Sequence, residues 1–395
     1  MIGTILTSLE YPYNAVMLAH AGEIGIKSKT TRRFMIKRLY SNISKKFPDL
    51  DLHFKNIANR SIVEIDQPEF IAQQFAEFIF GISHTAPIYF FKWLNYENLT
   101  SVVTKFVSQY LKPGMSFGFD AKTTGKNRPP SQSLKVELGS LVYEAYNGSL
   151  SVNLTNPDFL FTVEVREDYA WIYHKKFQGL DGFPQGAQQG IAFGNLRSWA
   201  LDYVATFQAM KRGVNVKPIR FITDKELSPD QESWHQEFLN KFVFKNGFDV
   251  PIYDLLESWK DKFGSKLCSA CMLFSEQLLT NVSKEQKALG FVSGLQVDTL
   301  GGDITPSCLQ WLEKSTNAFK IRPNIASKTD EILTSKYFQS FIKEPSCCKF
   351  QTSRMLELPL NDVEKEEVLQ KVDSYYKQFF SSFEAISEKH FEEDE

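Results

Sequence analysis

The stretch Ala15-Val16-Met17-Leu18-Ala19-His20-Ala21-Gly22-Glu23-Ile24-Gly25, followed by Ser28 to Ile43, decides how the first part of the chain folds. Five apolar residues in a row read as a strand. From Ser28 the period changes. Phe34, Ile36, Leu39 and Ile43 fall on a rough helical stripe, and the basic residues occupy much of the other side. Working outward, Ser61-Ile62-Val63-Glu64-Ile65 reads as a second strand. Phe70 to Phe80 reads as a helix with Phe at nearly every turn, stopped by Gly81. Strand, basic helix, strand and helix make a small α+β layer.

From Ile82 to about Gly182 the pattern differs. Ala86 to Phe91 reads as a strand, Asn98 to Leu111 as a helix, and Ser116 to Lys122 alternates like a strand. The polar loop Lys122-Thr123-Thr124-Gly125-Lys126-Asn127-Arg128-Pro129-Pro130 follows, and Ser131 is expected to open a helix over Ser133–Tyr146. Two more strands are predicted at Phe159–Val165 and Ala170–Lys175, and Gly179–Gly190 is the clearest linker. Beyond it, helices at Trp199–Met210, Trp234–Phe244 and Ser275–Ser283 alternate with strands at Lys217–Ile222 and Phe291–Ser293. That alternation predicts a mostly parallel, doubly wound sheet. From Asn361 a Lys/Glu-rich amphipathic helix runs into an acidic end.

At 395 residues, with 43% hydrophobic and 23% charged residues, the chain is globular and long enough for two or three domains. The net charge of −2 hides an uneven distribution. Residues 1–60 hold ten Lys/Arg against four acids, and residues 361–395 hold four Lys against eleven acids. A basic front of this kind suits a polyanion, although a Lys/Arg-rich helix face can also be merely solvated. No apolar stretch is long enough for a membrane span and no export signal opens the chain, so a cytoplasmic location is expected. Four of the five cysteines form close pairs, Cys268 with Cys271 and Cys347 with Cys348, a pattern that suits a metal or redox site better than a disulfide framework.

The run Gly22-Glu23-Ile24-Gly25-Ile26-Lys27-Ser28-Lys29-Thr30-Thr31-Arg32-Arg33-Phe34 resembles the N-terminal signature of the tRNA 4-thiouridine synthetases, also called thiamine-biosynthesis sulfurtransferases. The resemblance continues through Phe80-Gly81-Ile82, the loop with Lys122, Lys126, Arg128 and Ser131, Asn156-Pro157-Asp158, and Val163-Glu164-Val165-Arg166-Glu167. It implies a ferredoxin-like domain over 1–75, a THUMP RNA-binding domain over 76–182, a PP-loop domain over 183–360 and an acidic helix or tail over 361–395. The partner implied is tRNA, and the residues expected to face it are Lys27, Lys29, Arg32, Arg33, Lys122, Lys126, Arg128 and Lys135. Scattered cations suffice for that task, because structured RNA is read mainly by shape and backbone.

In that family the PP-loop domain adenylates a uridine with ATP, using a Ser-Gly-Gly-x-Asp-Ser turn. The glycines let backbone N–H groups approach the phosphates. Here the matching stretch is Ser198-Trp199-Ala200-Leu201-Asp202-Tyr203, which keeps Ser198 and Asp202 but neither glycine. Met272 and Leu273 replace basic residues, and the later turn Ser293-Gly294-Leu295-Gln296-Val297-Asp298-Thr299 keeps mainly Gly294. Arg220 and Phe221 stand where the family holds nucleotide at a strand end. These losses put ordinary use of ATP and Mg²⁺ in question.

Cys347 or Cys348 matches the catalytic cysteine. Cys268, Cys271 and Cys347 could together hold an iron–sulfur cluster, since thiolates suit iron–sulfur and zinc centres. Zinc alone, persulfide or disulfide chemistry, or no cofactor remain alternatives. Cys308 is expected to be structural, and His20 and His84 structural or RNA-facing. No rhodanese domain like that of longer relatives is expected, and therefore an external sulfur donor is, and the family implies a homodimer. Two functional classes follow: a tRNA sulfurtransferase, or a non-catalytic tRNA-binding protein that partners a modification enzyme.

Overall fold

The computed structural model describes residues 12–125, 128–197, 200–226, 229–243, 247–294, 306–316, 320–322 and 359–380. The chain forms two compact units, Met1–Phe183 and Pro184–Glu395.

In the first unit the order is β1 (Ala15–His20), a single turn α1 (Gly22–Gly25), α2 (Lys29–Lys46), β2 (Phe54–Ile57), β3 (Arg60–Glu64), α3 (Pro68–Phe78) and β4 (Ile82–Lys92). Next come α4 (Tyr96–Ser108), β5 (Ser116–Thr124), α5 (Ser131–Ala145), β6 (Ser151–Val152), β7 (Phe159–Arg166), β8 (Tyr169–Tyr173) and β9 (Phe177–Gln178). One sheet runs β2-β3-β1-β4-β8-β7-β5-β6, with β9 also on β4. The first four strands have the ferredoxin-like order, and their pairings are antiparallel. Among the described residues of this unit, β7-β5 and β5-β6 are the parallel pairs.

The eleven-residue β4 joins the two halves: Ile82 to Ile88 pair with β1 and Tyr89 to Lys92 with β8. The boundary expected at 75/76 therefore falls inside α3, where Phe75 and Ala76 are buried. Alternation along β1 sorts the core. Val16 and Leu18 pack under α2 and α3, whereas Ala15, Met17 and Ala19 join Phe90, Trp171 and Tyr173 on the opposite face. A third cluster fills the space between β5, β7 and the helices α4 and α5.

Two local expectations are corrected. On α2 the buried positions are Met35, Ile36, Leu39, Asn42 and Ile43, while Phe34 is 43% exposed. Ile36, Leu39 and Ile43 are buried as the stripe predicts, but Met35 rather than Phe34 lies one turn before Leu39 on the covered face. Ser131 is the first residue of α5 but does not cap it; its hydroxyl accepts the Thr123 N–H at 3.1 Å and fastens the end of β5.

The second unit contains β10 (Ile191–Leu196), α6 (Ala200–Lys211), β11 (Asn215–Ile222), α7 (Pro229–Phe242), β12 (Phe248–Pro251), α8 (Tyr253–Phe263), α9 (Leu267–Glu285), β13 (Gly290–Val292), α10 (Pro306–Ser315), β14 (Lys320–Ile321) and α11 (Asp362–Phe380). Its sheet has the order β12-β11-β10-β13-β14, all pairs parallel, as the alternation of strands and helices predicts. The helix α9 begins eight residues before the expected Ser275, so Cys268 and Cys271 lie on a helix. Among the described residues no helix is long and apolar enough to cross a membrane.

Candidate nucleic-acid interface and nucleotide place

Ser28 caps α2 by accepting the Thr31 N–H at 3.3 Å, and this fixes where the basic helix starts. Lys29, Arg33 and Lys37 then recur every fourth residue, all exposed, forming one row of cations. Arg32 does a different job. Its guanidinium donates to the carbonyls of Gly25 (2.9 Å) and Lys27 (3.1 Å) and to Asn59 Oδ1 (3.3 Å). It ties α1 to the two-residue turn between β2 and β3, whose Ala58 and Asn59 both have positive φ (42° and 67°). Lys27 Nζ lies 5.3 Å from the centroid of the Phe183 ring.

The other predicted cations gather around the end of β5. Lys135 on α5 pairs with Asp120 at 2.7 Å, and Lys122 approaches the same carboxylate at 3.9 Å. Arg128 sits 4.5 Å over the Trp93 ring and donates to the Glu167 carbonyl, to which Trp93 Nε1 also donates at 3.1 Å. Lys126 lies outside the described residues.

Behind these faces is a polar cluster that sequence reading did not single out as a site. Glu164 is fully buried and accepts from Arg166 Nε (2.8 Å) and Tyr173 Oη (3.2 Å), with Arg60 Nε at 3.6 Å. Arg166 Nη1 also donates to the Ala58 carbonyl at 2.9 Å. Burial, then the charges of Arg60 and Arg32, push the His20 imidazole down to about 4. Burial, then Arg60 and Lys176, does the same to His84 against the pull of Glu164. Both histidines are therefore neutral at pH 7.

In the second unit the strand order reverses between β10 and β13, the switch point where parallel sheets usually bind ligands. Here the described residues at that point bond to one another. Asp202, at the start of α6, is 1% exposed. Its Oδ2 accepts from the Arg197 backbone N–H (3.1 Å) and Nε (3.0 Å), and its Oδ1 from Arg197 Nη2 (2.7 Å) and the Gly294 N–H (3.0 Å). The remaining Arg197 nitrogen contacts the sulfur of Met272. Gly294 is pressed against the helix start: a Cβ there would lie 2.4 Å from Asp202 N. The glycine is required for this close approach, independently of any phosphate.

Arg220 is likewise engaged, with Asp249 at 3.0 and 2.5 Å and Glu232 at 2.6 Å, and Phe221 is core. A second buried network closes the ends of β13 and β14. Glu276, fully buried, accepts from Arg322 (2.8 Å) and Ser293 (3.1 Å), and Lys320 and Arg322 also reach Glu313. An acid flanked by Leu273, Phe274, Leu278 and Leu279 was the available signal, since a buried carboxylate needs a partner. Ser198 lies outside the described residues.

Cys268 is half-buried and Cys271 is 8% exposed; they are three residues apart on α9 and pack into the main core. Cys308, on α10, lies 3.9 Å from Ser269 Oγ, and burial pushes its thiol up. Among the described residues no group of three His, Cys, Asp or Glu side chains is placed to hold a metal. Cys347 and Cys348 lie outside the described residues.

His235 supplies a pH prediction for this unit. It is 2% exposed, bonded through Nδ1 to Tyr203 Oη at 2.6 Å, and burial, then Arg220, lowers its pKa to about 4. Unfolding returns it to about 6.5. The unfolded chain then binds the extra proton between pH 6.5 and 4, so stability is full above 6.5 and falls as pH drops through that window. The cost at pH 4 is on the order of 3 kcal/mol. Urea midpoints at pH 7.5 and 5.0 should differ in wild type, and by less in His235→Gln.

Residues 16–86 match the ThiI ferredoxin-like domain family and residues 95–175 match the THUMP domain family. The chain is 26% identical to a probable tRNA sulfurtransferase of Streptococcus suis and 24% identical to one of Streptococcus equi subsp. zooepidemicus, each match covering 81% of this chain and 80% of the relative. Among solved structures it is similar to a 4-thiouridine synthetase determined with RNA and bound ATP. The TM-score is 0.73 at 22% identity, over 93% of this chain and 98% of the other.

Proposed function

Since the chain belongs to the tRNA sulfurtransferase (4-thiouridine synthetase) family, we propose that it binds tRNA through the basic faces of its first unit, and that its second unit does not perform the adenylation step. The RNA half of this reading is supported by the exposed row Lys29, Arg33 and Lys37 and by Lys122 and Lys135 around the end of β5. Arg32 and Arg128 serve it indirectly, by holding the α1 loop and the Trp93 corner in shape.

The observation that carries the second half is the Arg197–Asp202 pair. ATP places phosphate groups at the start of the corresponding helix in a PP-loop domain. In this chain the carboxylate there is fully engaged by Arg197 and Gly294, and Trp199 and Ala200 stand where the motif has glycines. The residues present do not fit the triphosphate, so no step is routed through it. Nor is a step routed through an iron–sulfur cluster or zinc: Cys268 and Cys271 supply two thiols within the core, and a third would have to come from Cys347 or Cys348. An external sulfur donor belongs to the alternative, sulfur-transferring reading, while a homodimer, implied by the family resemblance, is compatible with both.

Fluorescence anisotropy of an unmodified tRNA transcript titrated with the full chain tests the RNA half. A Kd near or below about 1 µM at low salt is expected, with log K falling by about 0.9 per neutralised phosphate for each decade of salt. Absence of binding at tens of micromolar protein would remove the reading.

A further inference from the structure

Phe34 is a large apolar ring standing on the most basic helix of the chain, in a place where hydrophobic burial does not explain it. It is 43% exposed, while Met35 and Ile36 beside it are each 6% exposed. Arg38, one turn later, lies over its ring with the guanidinium carbon 5.8 Å from the centroid. The row Lys29, Arg33 and Lys37 runs alongside at about 6 Å per step, the rise of four helical residues. The two rows are neighbours: Thr30, Phe34 and Arg38 each follow one member of the cation row by one residue.

A line of cations next to an exposed aromatic is the combination that binds a nucleotide strand with an unstacked base. The ammonium and guanidinium groups neutralise phosphates, and the ring offers a π-face on which any base can stack. Arg38 adds a second planar group able to stack or to shift aside. Charge complementarity selects a polyanion over an apolar protein partner, because a protein docking on Phe34 would have to approach three exposed cations.

We propose that Phe34, with Arg38, is a stacking platform for an unpaired nucleobase of the bound RNA, and that Lys29, Arg33 and Lys37 hold the phosphates next to it. This rests on the RNA-binding reading and assigns one site within it.

The test compares wild type, Phe34→Leu, Phe34→Trp and a triple variant (Lys29→Gln, Arg33→Gln, Lys37→Gln) on two probes, a tRNA transcript and a blunt RNA duplex of similar length. Phe34→Leu should weaken tRNA binding about 5- to 150-fold, the loss of one base stack, and leave duplex binding unchanged. Phe34→Trp should bind tRNA like wild type, with a fluorescence quench larger than that of the native tryptophans. The triple variant should weaken both probes and lower the salt slope by about 2 to 3. An equal loss on both probes for Phe34→Leu overturns the platform, as does unchanged tRNA binding while the triple variant is weak. In both of those cases the RNA-binding reading survives. A change of oligomeric state in Phe34→Leu would also overturn it, by pointing to a second copy on this face. If wild type binds neither probe, the RNA-binding reading fails and the platform fails with it. Because Phe34 is exposed, the leucine variant should melt like wild type.

Discussion

Asp202→Ala is expected to destabilise the second unit by about 3–5 kcal/mol, the usual cost of removing one partner from a buried ion pair. The variant removes the carboxylate that the Arg197 guanidinium, 2% exposed, and the Gly294 N–H both donate to. Replacing both partners, Arg197→Met with Asp202→Leu, should cost less than the two single changes added together, because no uncompensated charge then remains. Denaturant unfolding of the full chain, followed through a probe in the second unit, measures both effects. The contrast with an active phosphate-binding aspartate is sharp. A residue kept for a ligand contributes little to the stability of the ligand-free protein, so a loss within about 0.5 kcal/mol would show that Asp202 is not a structural partner of Arg197.

Glu164→Ala should be the most damaging single change in the first unit, again by about 3–5 kcal/mol. It leaves Arg166 and Arg60 without their carboxylate and the Tyr173 hydroxyl without its acceptor. Because Arg166 also holds the Ala58 carbonyl, the loss should spread to the turn between β2 and β3 and to Arg32, which is bonded to Asn59. Hydrogen exchange should therefore speed up at both the β7 end and that turn. Glu164→Gln keeps part of the hydrogen bonding and should fall between wild type and alanine. A variant as stable as wild type would mean that Arg60 and Arg166 find other partners.

The elements most open to reading were those whose periodicity is set by burial. The apolar run Ala15 to Ala19 became a strand covered on both faces, and the alternation after Gly190 became the parallel sheet. The basic helix and its covered positions Ile36, Leu39 and Ile43 were visible too, but the start of that face was not. Phe34 and Met35 are adjacent and both apolar, and only packing decides which one is covered. The helix carrying Cys268 and Cys271 was started too late, because Ser-Ala-Cys carries no helical signature of its own and the preceding Gly264 and Ser265 read as a turn. The departures at the nucleotide place were legible as missing glycines. The pairing found there was not, because Arg197 and Asp202 are five residues apart and nothing in that spacing announces a buried pair. Glu164 and Arg166 were noticed only as part of a strand, since their partner Arg60 is about a hundred residues away in sequence.

Titration calorimetry of ATP–Mg²⁺ into the full chain already saturated with tRNA tests the central claim most directly. With Arg197 paired to Asp202 at the start of α6, no binding heat is expected up to millimolar nucleotide, and tRNA affinity should not change when ATP is added. Saturable binding in the micromolar range, abolished by Asp202→Asn, would contradict the account and restore adenylation to this chain.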